Sequence, residues 1–150
     1  MATTVTSATL SVQIHETITL NGTKLGAQTI HSFQNIQNVD ERILTIPTYE
    51  VGVLNLSSSA GAGTYATGNI RYARFTNLDN KNFLRLEFAS GSAGSQFDVK
   101  LKPNTSYIFT NASISGSSGG VTFSSFDDFT SVKAKADTAT IDLGLFVATT

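Results

Sequence analysis

The chain contains no cysteine and no tryptophan, only two prolines, and charged residues make up just 14% of it. Without cysteine there can be no disulfide framework, no thiolate zinc cluster and no thiol nucleophile. The missing disulfides suit assembly in a reducing cytoplasm. Ten basic residues are scattered against eleven acidic ones for a net charge of −1. They form no basic stripe that would neutralise a phosphate backbone, so nucleic acid is not expected as a direct ligand. No stretch approaches the roughly 20 apolar residues of a membrane helix. The opening segment, MATTVTSATLSVQIHETITL, lacks the basic start and continuous apolar run of a signal peptide. The expectation is a soluble protein, made without export and without a membrane partner.

What the chain has instead is hydroxyl-bearing residues: 21 Thr and 17 Ser among 150 residues. β-Branched Thr sits well on a pleated surface, whereas exposed helices usually carry Glu and Lys outward. A hydrophobic content of 40% with ten Phe excludes a disordered polar tract. The length is that of one ordinary domain, and no Pro-rich linker or charge block divides it. A single domain over residues 1–150 is expected, with residues 1–7 as an extended, uncharged N-terminal arm.

Alternation predicts strands along most of the chain. Ala8, Leu10, Val12 and Ile14 share one parity, which Ile18 and Leu20 continue, before Asn21-Gly22 offers the two positive-φ positions of a tight hairpin. The return strand runs from about Lys24 to Phe33 and on towards Val39. Arg42 to Ile46 is a short apolar run that Pro47 ends at an edge or strand end. Val51 to Leu56 is apolar on both faces and reads as a central strand. Residues 57–68, SSSAGAGTYATG, read as a flexible loop long enough to suggest contact with a neighbour.

Residues 70–111 read as an antiparallel meander: IRYARFT, NFLRLEFA, FDVKLK and SYIFTN, separated by turns at residues 77–80 and 90–95. Residues 113–120 are Ser/Gly-rich. Phe123, Phe126 and Phe129 then recur at the spacing of one short helical turn, either as a plug for the core or as an aromatic knob for a partner. Ile141, Leu143, Leu145 and Val147 mark the last strand, with Val132, Ala134 and Ala136 as its hairpin partner. The fold class that follows is all-β: an antiparallel β-sandwich or barrel, jelly-roll-like, of about eight to ten strands with at most one short helical turn.

Candidate chemistry is thin. The 61–66 segment, GAGTYA, spells a dinucleotide fingerprint, but the residues after it read as a strand and not as the helix whose N-terminus would face a pyrophosphate. His15 and His31 lie near each other if the first hairpin pairs as read, and Glu16 would complete three metal ligands. No zincin spacing accompanies them, and surface or interface histidines are the expected reading. Asp127-Asp128 lacks further oxygen ligands in sequence for Ca²⁺. No G-x-S-x-G occurs to mark a hydrolase nucleophile. No catalytic, cofactor-binding or metal residue is assigned, no cofactor is implied, and an enzyme is not expected. By residue chemistry alone the chain reads as an all-β domain and no more.

RFTNLDNKNFLRLEF followed by FDVKLKPNTSYIF, together with the N-terminal ETITLNGT, resembles a pattern of small all-β virion proteins of tailed bacteriophages. These segments cover about a third of the chain. The resemblance implies a capsid decoration (cement) protein on the outer shell, or else a neck or tail component such as a tube, adaptor or fibre. Its partners would be the major capsid protein or other virion proteins, in a homo-oligomer whose trimeric or hexameric packing follows from analogy alone, the trimer being the expectation. Its place would be the virion, assembled in the host cytoplasm. A carbohydrate-binding sandwich remains the alternative, weakened by the absence of Trp and a total of four Tyr. The 1–7 arm is the expected tether, free to add a strand to a neighbour's sheet edge. Its deletion should abolish binding to particles, as measured by occupancy on purified capsids; unchanged occupancy would remove the arm from that role.

Overall fold

A computed structural model of the chain describes residues 5–61, 63–89, 96–110 and 130–150. Among these residues it forms thirteen strands and one 3-10 turn, Thr67–Asn69. The chain begins with β1 (Ala8–His15), β2 (Ile18–Leu20), β3 (Thr23–Leu25) and β4 (Gln28–Ile36), which fold back on one another as a hairpin. The body follows: β5 (Asn38–Ile46), β6 (Val51–Ser57), β7 (Thr64–Ala66), β8 (Ile70–Asn77) and β9 (Leu84–Ala89). It is completed by β10 (Gln96–Leu101), β11 (Ser106–Thr110), β12 (Ser131–Ala136) and β13 (Ile141–Thr149).

Two sheets make the body, one ordered β10-β9-β12-β6-β7 and the other β11-β8-β13-β5. Their inner faces follow from period-2 alternation. Leu84, Leu86 and Phe88 of β9 and Val132, Ala134 and Ala136 of β12 meet Ala73 and Phe75 of β8 and Leu143, Leu145 and Val147 of β13, all essentially without solvent contact. Burying a side chain of this size stabilises by about 1.5–3 kcal/mol. Phe88 is the hinge of the packing. Its ring stacks on Phe97 at 4.7 Å within its own sheet and meets Phe75, Tyr107 and Phe109 of the opposite sheet at 5.9, 5.5 and 5.7 Å. The all-β sandwich is as expected, with more strands than predicted because three of them are only three residues long.

The connectivity departs from the expected meander. β8 does not pair with β9; it pairs with β11 and β13, while β9 pairs with β10 and β12 in the other sheet. Residues 77–80 are therefore an arch between sheets. Asn77 ends β8 fully buried, and its amide donates to the carbonyls of Asn82 (3.0 Å) and Leu101 (3.1 Å) while its oxygen accepts from the Asp79 N–H (3.0 Å). Asp79 in turn accepts from the N–H groups of Lys81 and Asn82, both at 2.6 Å. These bonds to the Asn82 and Lys81 amides hold the Asp79 carboxyl below its usual range. The Asn104 N–H reaches the Asp79 carbonyl and the Asn77 N–H the Thr105 carbonyl, each at 3.0 Å, so the arch also anchors the β10 to β11 connection.

β12 likewise is not the hairpin partner of β13: it lies between β9 and β6, and β13 lies between β8 and β5. Alternation reports which residues point inward, and it is the same whether consecutive strands are neighbours or face each other across the core. Within the expected 57–68 loop the structure forms β7, which pairs parallel with β6 and is the one parallel ladder among the described residues. Pro47 ends β5 at the sheet edge, as its missing N–H requires. The turn at residues 90–95 and the segment holding Phe123, Phe126 and Phe129 lie outside the described residues.

Replacing Asn77 by Ala strands two inward carbonyls, and a loss of about 1–3 kcal/mol is expected in urea unfolding. Leu78→Ala, one residue on and exposed, should stay within about 0.5 kcal/mol. Equal midpoints for the two variants would show that the arch does not depend on the carboxamide.

Candidate functional site

The hairpin divides into two halves with different surroundings. Asn21 (φ 48°) and Gly22 (φ 80°) occupy the two central turn positions with positive φ, as predicted. Pairing is in one register from Leu10↔Phe33 through His15↔Gln28 and again from Ile18↔Leu25 to Leu20↔Thr23, with Glu16 N–H bonded to the Ala27 carbonyl between them. The strands are thus one ribbon with two consistent faces. Gly26 leaves no room for a side chain: a Cβ there would lie 2.0 Å from the Glu16 carbonyl oxygen.

The base of the ribbon lies on the outer face of the β11-β8-β13-β5 sheet. Leu10, Val12 and Phe33 pack with Ile36 against Tyr72, Phe146 and Ala148, and the Tyr72 ring is flanked by Phe33 at 5.8 Å and Phe146 at 5.9 Å. Burial raises the Tyr72 phenol above its ordinary pKa, with Arg74 opposing. Phe33 and Ile36 are three apart, a spacing that alternation alone would put on opposite faces. A bulge resolves this: the register shifts between Ala8 and Leu10, and Asn35 takes φ 61°, a conformation Asn tolerates better than most residues.

Beyond this second core the ribbon overhangs. Every residue from 13 to 32 is exposed, including Ile14, Ile18, Leu20 and Leu25, which continue the same face as Leu10 and Val12. The sequence anticipated the hairpin and its parity. It carried no sign of where self-packing stops, because the alternation is the same in both halves.

The outer face of the other sheet is charged, and five of its side chains pair with one another. Arg85 bonds Glu87 at 2.6 Å and Asp98 at 3.0 Å; Lys133 bonds Glu50 at 2.9 Å and Glu87 at 3.3 Å. The Lys133 bond holds the Glu50 carboxyl below its ordinary value, Glu50 and then Glu87 raise Lys133, and Asp98 raises Arg85. Of the meander's charged residues, Arg85, Glu87 and Asp98 thus share this network, while Arg74 stands on the opposite outer face, 5.8 Å from the Phe146 ring. Along the open side of the sandwich, the Tyr65 hydroxyl on β7 donates to Asp40 on β5. Burial, then this bond, pushes the Tyr65 pKa to about 12.

The residues weighed for metal or nucleotide chemistry do not converge. His31 pairs with Val12 and His15 with Gln28, so their side chains leave opposite faces of the ribbon. The 61–66 segment leads through β7 and a 3-10 turn into β8, with no helix to receive a phosphate. Asp127 and Asp128 lie outside the described residues, as do residues 1–4 of the expected arm; residues 5–7 are exposed.

Neither protein-family models nor curated proteins match the chain. Among solved structures it is similar to one described as "Bacillus endospore appendages form a novel family of disulfide-linked pili", with 12% identity and a TM-score of 0.47 over 100% of this chain and 96% of that one. The disulfide linkage named there has no counterpart in a sequence without cysteine. None of these comparisons returns a tailed-phage protein.

The charged face has a definite pH signature. Glu50, with its folded pKa depressed, contributes stability above its ordinary pKa of 4.5, lost as pH falls through the folded value. Lys133, with its folded pKa raised, contributes below 10.5, lost as pH rises through the folded value. Lys133→Met should therefore lower the melting temperature between about pH 5 and 10, with the difference from wild type shrinking at pH 3. A difference independent of pH would mean that the lysine acts through its stem and not its charge.

Proposed function

We propose that the chain is a structural subunit of a tailed-bacteriophage virion, a decoration (cement) protein that binds the outer capsid shell and strengthens it through contacts repeated by symmetry. The overhanging ribbon carries this reading. A two-stranded hairpin is marginal in water by itself, and one that exposes four large aliphatic side chains on one face gains its stability on a partner surface. The body behind it has its own buried core: two sheets with interlocked aromatics and an outer face on which Arg85, Glu87, Asp98, Lys133 and Glu50 pair with one another. A packed body with a projecting apolar limb suits bridging between the subunits of a shell, the major capsid protein being the partner.

The role is proposed as non-catalytic, in the virion, after assembly in the host cytoplasm. Neck or tail placement uses the same surfaces and is separated by location alone. A carbohydrate-binding role gains little from the geometry, since Tyr49 is the exposed tyrosine while Tyr65, Tyr72 and Tyr107 are packed.

Electron microscopy of purified particles tests the proposal. Copies of this chain over the capsid surface are expected. Density confined to the neck or tail moves the role there, and particles lacking the chain would overturn the structural reading altogether.

A further inference from the structure

Resting on that structural reading, and naming a partner for the ribbon, we infer that the distal ribbon docks on a second copy of this chain, in a trough on the outer face of its β11-β8-β13-β5 sheet. The ribbon already packs on this sheet once, within its own chain, through Leu10, Val12 and Phe33. Next to that contact no described residue covers the sheet. A trough of about 680 Å³ opens there, lined among others by Ile43, Arg74, Thr76, Leu78 and Gly144. Its floor is flat at Gly144, where even a Cβ would lie only 3.6 Å from both Leu78 and Thr76. Ile43, 68% exposed, and Leu78 are large aliphatic side chains left to water. Ile108, paired with Arg74 across β11 and β8, is exposed on the same face.

The two uncovered surfaces match in kind. Ile14, Ile18, Leu20 and Leu25 continue the ribbon face that already seats on this sheet, so an incoming tip extends an existing packing layer without requiring a new one. Charge agrees with the apolar match. Glu16 lies between Ile14 and Ile18 on the ribbon face; the trough holds two cations, Arg74 and the Asp40-paired Arg42, against one acidic lining residue, Glu41, and neither Glu16 nor Arg74 has an ion-pair partner among the described residues. The ribbon of the same chain does not fill the trough: its base is seated beside it and residues 13–32 are exposed. The contact is therefore head to tail, using different patches on the two copies, and it propagates into rings or open rows.

Light scattering on the purified full chain tests this, with circular dichroism confirming that each variant is folded. Wild type should grow in mass beyond a dimer as concentration rises. Leu20→Asp, at the tip, and Ile43→Asp, in the trough, should each remain monomeric; both sites are exposed and lie outside the core. Mixed together they should form a 1:1 dimer and nothing larger, because one variant retains the only good trough and the other the only good tip. Glu16→Arg should weaken association about tenfold, and E16R/R74E should restore it. Wild type that stays monomeric, an Ile43→Asp variant that still assembles, or a mixture that fails to pair overturns the inference. Failure here with the chain still found on particles leaves the virion role standing, whereas assembly through the trough by a chain absent from particles removes that role and keeps the contact.

Discussion

Asn77 holds two chain reversals with one buried carboxamide, and the architecture depends on that. Its bonds to Asn82, Leu101 and Asp79 carry the chain from β8 across the core to β9, where a hairpin would have kept it in one sheet. Because β8 is released from β9, it can lie between β11 and β13. Phe75 then points at Phe88 across the sandwich and Tyr72, Arg74 and Thr76 point away from it. The inner core and the outer docking face are two consequences of the same arch.

The two outer faces then differ in what they require of a partner. On one, Glu87 accepts from both Arg85 and Lys133, with Asp98 and Glu50 completing the set, so these charges are paired within the chain, beside Lys100 and Lys135. Removing such a face from water gains little, because the pairs would lose hydration without gaining new partners. On the other face the base of the ribbon covers Tyr72, Phe146 and Ala148, and beside them Ile43, Leu78 and Ile108 stand exposed among Glu41, Arg74 and two hydrogen-bonded pairs, Thr76 with Ser106 and Thr45 with Asp142.

The ribbon itself sits at the boundary between folding and association. Near the bulge at Asn35 it is part of the molecule's own packing; from Gln13 on, the described residues hold it by a ladder of backbone bonds, a tight Asn-Gly turn and exposed side-chain bonds, Gln28 to Gln13 and Thr17 with His15. Coupling its order to a contact with another molecule is the economical outcome for such an element, since the register is fixed in advance and little conformational freedom is lost on docking.

Much of this was legible in the residues. The parity of Leu10, Val12 and Ile14, the Asn21-Gly22 turn, the edge position implied by Pro47 and the inward set Ile141, Leu143, Leu145 and Val147 follow from local sterics and the two-residue period of a strand, which act within a few positions of the chain. What local rules cannot encode is partnership. Whether β8 meets β9 as neighbour or across a core, why β12 leaves β13, and how far along one uniform alternation the ribbon stops covering its own sheet were decided by the tertiary structure. Those outcomes depend on burying faces contributed by residues far apart in the chain, as Ile36 and Ala148 are, and alternation is blind to which face it will meet.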